Sequence, residues 1–144
     1  VRVSTRGRYG LRAMLELARC FEQGPVSMST IAEKQELSRK YLHALLTSLK
    51  AAGLVRALRG AGGGYSLARR PADINLNQIL NALEGPMALV HCVEDDGACD
   101  RAKSCLARDV WTEISDRIEG VLESMTLKDL IERKVKKPGR AGRR

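Results

Sequence analysis

Aromatic residues are few: one Trp, one Phe and three Tyr make up 3% of 144 residues, against 44% apolar residues overall. That balance points to an aliphatic, helical core. Histidine is scarce too, with only His43 and His91 in the chain. Neither offers a base-and-orienter arrangement for a loop cysteine acting as nucleophile, which argues against an enzyme. No apolar run approaches the roughly 20 residues that a membrane span needs. The opening VRVSTRGRYG has no apolar h-region of a secretory signal. The expected location is therefore the cytoplasm, with no membrane partner, where thiols stay reduced. Four cysteines are present but no paired CxxC knuckle, the usual mark of a zinc site.

Charge is plentiful and unevenly placed. Residues 1–70 carry 13 Lys and Arg against 4 Asp and Glu, whereas residues 71–135 carry 7 against 13, and residues 136–144 add five more cations. A basic first half followed by an acidic stretch suits a nucleic-acid-binding head joined to a separate regulatory or assembly part.

The segment from Ser38 to Leu67 organises the rest. Leu42, Leu45, Leu46 and Leu49 form an apolar stripe at helical spacing, Ser38 stands at the N-cap, and Gly53 stands at C′. Arg39, Lys40, His43, Thr47 and Lys50 fall on the opposite face. Two strand-like runs follow, 54–59 and 65–67, around the tip RGAGGG. A helix with a cationic free face followed by a basic hairpin looks like the recognition helix and wing of a winged helix-turn-helix. Ahead of it, Ser27 or Ser29 caps a short helix bearing Ile31 and Ala32, and a turn at Glu36 and Leu37 joins the two.

The first helix is expected over 5–22, with Tyr9, Ala13, Met14, Leu17, Ala18 and Phe21 facing inward and Cys20 as a small core residue. Arg2, Arg6, Arg8 and Arg12 crowd its start, where cations oppose the helix dipole, which hints at an external anion such as DNA phosphate. Asn75 caps a further helix that Gly85 and Pro86 stop, and residues 86–104 read as an irregular loop. A long helix follows over about 103–124, with Val110, Trp111, Ile114, Ile118, Val121, Leu122 and Met125 at threes and fours. That stripe is too long for the small head to cover, so it should pair with a second copy. Thr126, with Asp129 in the capping-box place, begins a last helix carrying Leu127, Leu130 and Ile131.

The fold class is accordingly mainly α, a winged helix-turn-helix with a long C-terminal dimerisation helix. The divisions are a DNA-binding head over 1–84, a cysteine-bearing loop over 85–105, dimerisation helices over 106–135, and a basic disordered tail over 136–144. The partners are a double-stranded DNA operator and a second copy. Arg39, Lys40 and His43 are placed to reach base edges, Ser38 and Tyr41 to meet phosphate, and Arg59 to enter a minor groove. Gly62 and Gly63, with Gly64, let the wing backbone approach the sugar–phosphate rail.

Cys92, Cys99 and Cys105 lie in HCVEDDGACDRAKSC, separated by six and then five residues. Such a polar, flexible loop suits soft-metal or iron–sulfur ligation, a thiol switch, or ordinary cysteines.

Several motifs together resemble the Rrf-type family of bacterial transcription regulators, with its IscR, NsrR and CymR branches. They are STRGRYGLRAML, TIAEKQELSRKYLHALLTSLKAAGLV, RGAGGGYSLAR, the three-cysteine loop, and WTEISDRIEGVLESMTLKDL. The match runs from about residue 1 to residue 132. The resemblance implies a homodimeric winged-helix regulator whose DNA binding is tuned by a 2Fe–2S or 4Fe–4S cluster on Cys92, Cys99 and Cys105 that senses iron, redox or nitric oxide status. It also admits a cluster-free regulator responding to a metabolite, a partner protein or thiol oxidation. IscR-type members have five residues between the first two cysteines and a histidine three residues after the third. Here there are six residues, and Arg108 stands in the histidine's place. The fourth-ligand candidates are Asp109, His91 or a residue of the partner's first helix. Arg8 replaces the aspartate that serves in the nitric-oxide-sensing branch. Lys40 and His43 replace the Ser and Glu of IscR-type readers, which implies a different preferred DNA sequence.

Overall fold

The computed structural model describes residues 2–95, 97, 100–101 and 103–133. The expected tail over 136–144 lies outside them. The elements are α1 (Thr5–Arg19), α2 (Met28–Gln35), α3 (Arg39–Ala51), β1 (Val55–Leu58), β2 (Gly64–Leu67), a 3₁₀ turn (Pro71–Asp73), α4 (Leu76–Glu84), α5 (His91–Glu94), α6 (Leu106–Ser124) and α7 (Leu127–Glu132).

Local chemistry accounts for most boundaries. Ser27 and Ser38 each accept a hydrogen bond from the backbone N–H three residues on, at 3.1 Å in both cases, so each caps its helix. Glu36 takes a left-handed conformation (φ 54°) between α2 and α3 and makes the turn of the helix-turn-helix. Asn75 and Gln78 form a reciprocal capping box on α4, and Thr126 and Asp129 form one on α7. The Thr126 N–H donates to Asp129 Oδ2 (3.0 Å) and holds that carboxyl below its ordinary range. Because the folded value is depressed, the cap's contribution is present above the unfolded Asp pKa of about 3.9 and fades as pH falls through the folded value.

The core is aliphatic, as the composition requires. Leu42, Leu45, Leu46 and Leu49 of α3 have no solvent exposure, and they pack with Ala13, Met14 and Leu17 of α1, Ile31 of α2, and Ile79 and Leu83 of α4. Each such leucine contributes about 1.5–3 kcal/mol by leaving water. β1 and β2 pair antiparallel, with Val55 opposite Leu67 and Leu58 opposite Gly64. Val26 adds a third, single-residue strand: it exchanges two 2.8 Å hydrogen bonds with Tyr65 and fastens the wing to the segment before α2. Among the described residues, no helix is long and apolar enough to cross a membrane.

Several sequence expectations change. α1 ends at Arg19 rather than residue 22. Cys20 therefore leaves the helix as its C-cap and is half-buried rather than a core residue. One helical turn, α5, interrupts the loop expected over 86–104. The long helix starts at Leu106, with Cys105 at its N-cap, not at residue 103.

The segment expected as one dimerisation unit, 106–135, serves two roles. α6 packs on α4, while α7 returns to the head. The Leu76 N–H donates to Met125 O (2.8 Å), the Leu127 N–H donates to Ile74 O (2.9 Å), and Leu127 is fully buried in the head's core. Leu127→Ala should thus cost the head about 2–5 kcal/mol in urea unfolding, the range for a buried leucine. An unchanged midpoint would show that α7 only rests on the surface.

Candidate nucleic-acid interface

The outward face of α3 carries Arg39, Lys40, His43, Thr47 and Lys50, all exposed. Thr47 Oγ1 donates to the His43 carbonyl (2.8 Å), so this hydroxyl is already occupied by its own helix. Ser38 accepts the α3 cap bond and keeps its own proton for a further acceptor. Tyr41 is half-buried: its ring meets Tyr9 edge-on, with centroids 6.1 Å apart, and its hydroxyl donates to Thr5 Oγ1 (3.3 Å). The first turn of α3 is thereby tied to α1 while its basic residues stay free.

The wing follows α3 after Gly53. Arg56, Arg59 and Gly62 are exposed on it. The fold itself requires two of its glycines. A Cβ at Gly63 would lie 2.3 Å from the Leu58 carbonyl oxygen, and one at Gly64 would lie 2.3 Å from that of Val26. Gly64 also sits at φ 154°, within the range that favours glycine. The glycine run is therefore needed to close the hairpin and seat it on residue 26, whatever lies outside it.

Two of the four arginines at the start of α1, Arg6 and Arg12, have partners within the chain, whereas Arg2 and Arg8 are exposed. Glu84, at the end of α4, places its carboxylate at the N-terminus of α1. It accepts from the Ser4 N–H (2.5 Å), the Gly7 N–H (3.2 Å) and the Ser4 hydroxyl. The anion at this helix start is internal. Arg6 bonds the Leu83 carbonyl and Ser48, and Arg12 donates from Nε to Gln35 Oε1 (2.7 Å) and from Nη2 to Gln35 O (3.2 Å). Gln35 passes the connection on to Glu16 (3.0 Å), a nearly buried carboxylate that also receives Arg19 (3.3 Å) and Lys34 (3.6 Å). This chain fixes the end of α2 to α1 just ahead of the turn at Glu36. Sequence patterning missed Glu16, Gln35, Ser48 and Glu84 because their partners are up to 80 residues away.

The head and these motifs can now be set beside known proteins. The family described as "Rrf2: Iron-dependent Transcriptional regulator" matches residues 3–133. The chain belongs to the Rrf2 family. It is 43% identical over 130 residues to the HTH-type transcriptional regulator CymR of Bacillus subtilis (strain 168), covering 90% of this chain and 89% of that protein. The solved structure of B. subtilis CymR, described as a global cysteine regulator, superposes with a TM-score of 0.76 over 92% of this chain and 97% of that one, at 42% identity. The structure of T. potens IscR superposes with a TM-score of 0.74, also at 42% identity, over 92% of this chain and 87% of that one. This Rrf2 chain is a transcriptional regulator of the DNA-binding, winged-helix type and not an enzyme.

Two further regions of this Rrf2 protein bear on its control. α6 leaves a row of apolar side chains exposed: Leu106, Val110, Trp111, Ile114 and Val121. Of the expected cluster ligands, Cys92 falls in α5, Cys105 is a free, half-buried thiol at the α6 N-cap, and Cys99 lies outside the described residues. Among the described residues, no group of three or more His, Cys, Asp or Glu side chains is arranged to hold a metal.

A wing variant tests the hairpin's part in DNA binding. In Gly63→Ala the tip must reopen to relieve the 2.3 Å contact, while the core of α1, α3 and α4 is untouched. The urea midpoint should fall as the hairpin is strained, and operator affinity, measured where the variant is fully folded, should fall by about 1–3 kcal/mol, the worth of one good groove contact. Undiminished affinity would leave the wing without a share in binding.

Proposed function

We propose that this chain is a cytoplasmic, homodimeric, sequence-specific repressor whose hold on its operator is tuned by an iron–sulfur cluster. The observation that carries the DNA-reading part is the free cationic face of α3, whose other face is wholly given to the core. Two copies joined through α6 would set their α3 helices in successive major grooves, about 34 Å apart. Arg39, Lys40 and His43 then meet base edges and Ser38 meets phosphate, while Tyr41 could donate to phosphate only by giving up its bond to Thr5. Arg59 enters the adjacent minor groove, where a guanidinium is held by the local negative potential. Gly62 and Gly63 keep the wing tip slim beside the backbone.

The exposed apolar row on α6 supports the dimer. Five large apolar side chains on one exposed face are a docking surface rather than scattered surface residues. Trp111→Glu should convert the dimer to a monomer in sedimentation. It should also weaken binding to a two-half-site operator by a factor on the order of 10², as avidity is lost. A variant that still sediments as a dimer would move the interface elsewhere.

Cys92, Cys99 and Cys105 fit three of the four ligands of a 2Fe–2S or 4Fe–4S cluster in the chemistry of their donors. Thiolates are the usual ligands of iron–sulfur centres, and the Cys105 thiol is free. Arg108 has no lone pair to offer, so the fourth ligand is unassigned among Asp109, His91 and a residue of the partner. Such a cluster would supply sensitivity to iron supply, oxidant or nitric oxide. The protein's own contribution is mechanical: Cys92 and Cys105 bracket the connection from α4 to α6. Drawing their thiols together restrains the link between the head and the dimer helix.

The likeness to CymR, whose solved structure is described as that of a cysteine regulator, favours a second reading. In it, the same dimer responds to a metabolite, a partner protein or thiol oxidation without a cluster. Anaerobic purification separates the two. The first reading expects a coloured protein with thiolate-to-iron absorption that Cys92→Ala, Cys99→Ala and Cys105→Ala each abolish. Selection from a random DNA pool should return one operator, bound differently by the loaded and stripped forms. A colourless wild type after anaerobic reconstitution would leave the second reading.

A further inference from the structure

Arg6 reaches from the first turn of α1 to two other helices at once. Its Nε donates to the Leu83 carbonyl in the last turn of α4 (3.0 Å), and its Nη2 donates to Ser48 Oγ on α3 (3.0 Å). The preceding residue, Thr5, accepts from the Tyr41 hydroxyl (3.3 Å). Two consecutive residues of α1 thus grip α3 at Tyr41 and Ser48, seven residues or about two helical turns apart. The base of this grip is itself held. Glu84 is bonded to Ser4 and Gly7, and Gly10 lies so close to Leu83 that a Cβ there would come within 2.2 Å of Leu83 Cδ1. A guanidinium suits this place because its planar fork presents donors in diverging directions.

The leucine face of α3 fixes how deeply the helix sits and, through its packing, the coarse rotation about its own axis. The bonds at Tyr41 and Ser48 set the fine rotation within that packing, because hydrogen bonds are directional. A rotation of about 15° on a helix of about 5–6 Å outer radius moves a side-chain tip by about 1.5 Å. That is about three times the roughly 0.5 Å within which a binding contact must be held.

We propose that Arg6 is a positioning residue for sequence reading: through Ser48 it sets the rotation of α3, and hence the aim of Arg39, Lys40 and His43, without touching DNA itself. This rests on α3 being the reading helix, as argued above. The competing role for a cation at this place is a phosphate contact, which has a different signature. A lost phosphate contact weakens binding to every sequence alike and lowers the salt slope by about one. A lost aim weakens only the preferred sequence.

The test uses the full-length dimer, the duplex selected from the random pool, and a scrambled duplex of equal length, each titrated over a salt series. Arg6→Gln is expected to lower the operator-to-scrambled affinity ratio about tenfold, the worth of one hydrogen bond to a charged group, with the salt slope unchanged within about half a unit. Ser48→Ala, which removes only a half-buried hydroxyl, should lower the same ratio. The double variant should be no worse than Arg6→Gln by more than about twofold, because both changes cut one link. A slope reduced by about one with the ratio intact would overturn the proposal in favour of a phosphate contact. So would Ser48→Ala with full discrimination, a result that stands even if Arg6→Gln fails to fold. A wild type that prefers no duplex would remove α3 as reader, and this role with it. A discriminating wild type beside an equally discriminating Arg6→Gln would overturn this role alone.

Discussion

Leu42, Leu45, Leu46 and Leu49 have no contact with water, and that burial governs the rest of the head. A helix that reads DNA must surrender one face completely, because its other face stays open to solvent and contributes nothing to folding. With about 1.5–3 kcal/mol per leucine, the stripe on α3 is strong enough to organise the elements around it. α1 and α4 supply the opposing surfaces, α2 closes the top through Ile31, and Leu127 fills what they leave. The free face then needs no structural duty, and its five polar and charged residues can be chosen for what they touch.

The features legible in the sequence were those decided within a few residues. Ser38, Asn75 and Thr126 act as caps through bonds to a backbone N–H three residues on, so sequence alone identified them, and of the alternatives Ser27 and Ser29 it is Ser27 that makes such a bond. The leucine period marked α3, and the glycine run marked the hairpin. The early end of α1 was less legible, because Tyr9 to Phe21 keeps a helical period past the point where the backbone turns out. α5 has only four residues, too few for any period to show. The return of α7 depends on Leu127 meeting Ile74, a pairing that no local pattern encodes.

The arginines of α1 show the limit most clearly. Counted along the chain, Arg2, Arg6, Arg8 and Arg12 are four cations at the wrong end of a helix dipole, and an outside anion is the natural inference. In the folded chain, Glu84 supplies the negative charge from 77–80 residues away, and two of the four arginines bond backbone or side chains of other helices. Composition revealed an excess of positive charge but not which part of it was free. The free part is narrower than the total: it includes α3, the wing, and the exposed Arg2 and Arg8, while Arg6 and Arg12 bond groups of the head.

The same geometry bears on how a signal would travel. Leu83 and Glu84, the residues bonded to Arg6 and the α1 N-terminus, stand directly before Gly85 and Pro86, where the chain leaves α4 towards the cysteine segment. At the other end of that segment, Cys105 stands at the N-cap position of α6, the helix with the exposed apolar face. A strain applied between α4 and α6 would therefore arrive at a turn that Arg6 connects to α3 at Ser48. Packed helices of this kind hold discrete arrangements rather than yielding smoothly. If the cysteines control binding as proposed, a change at them would be better suited to switch α3 between two aims than to loosen it gradually. Leu83 and Glu84 both lie on the last turn of α4, so on the proposed function the C-terminal end of that one helix is where control and recognition would meet.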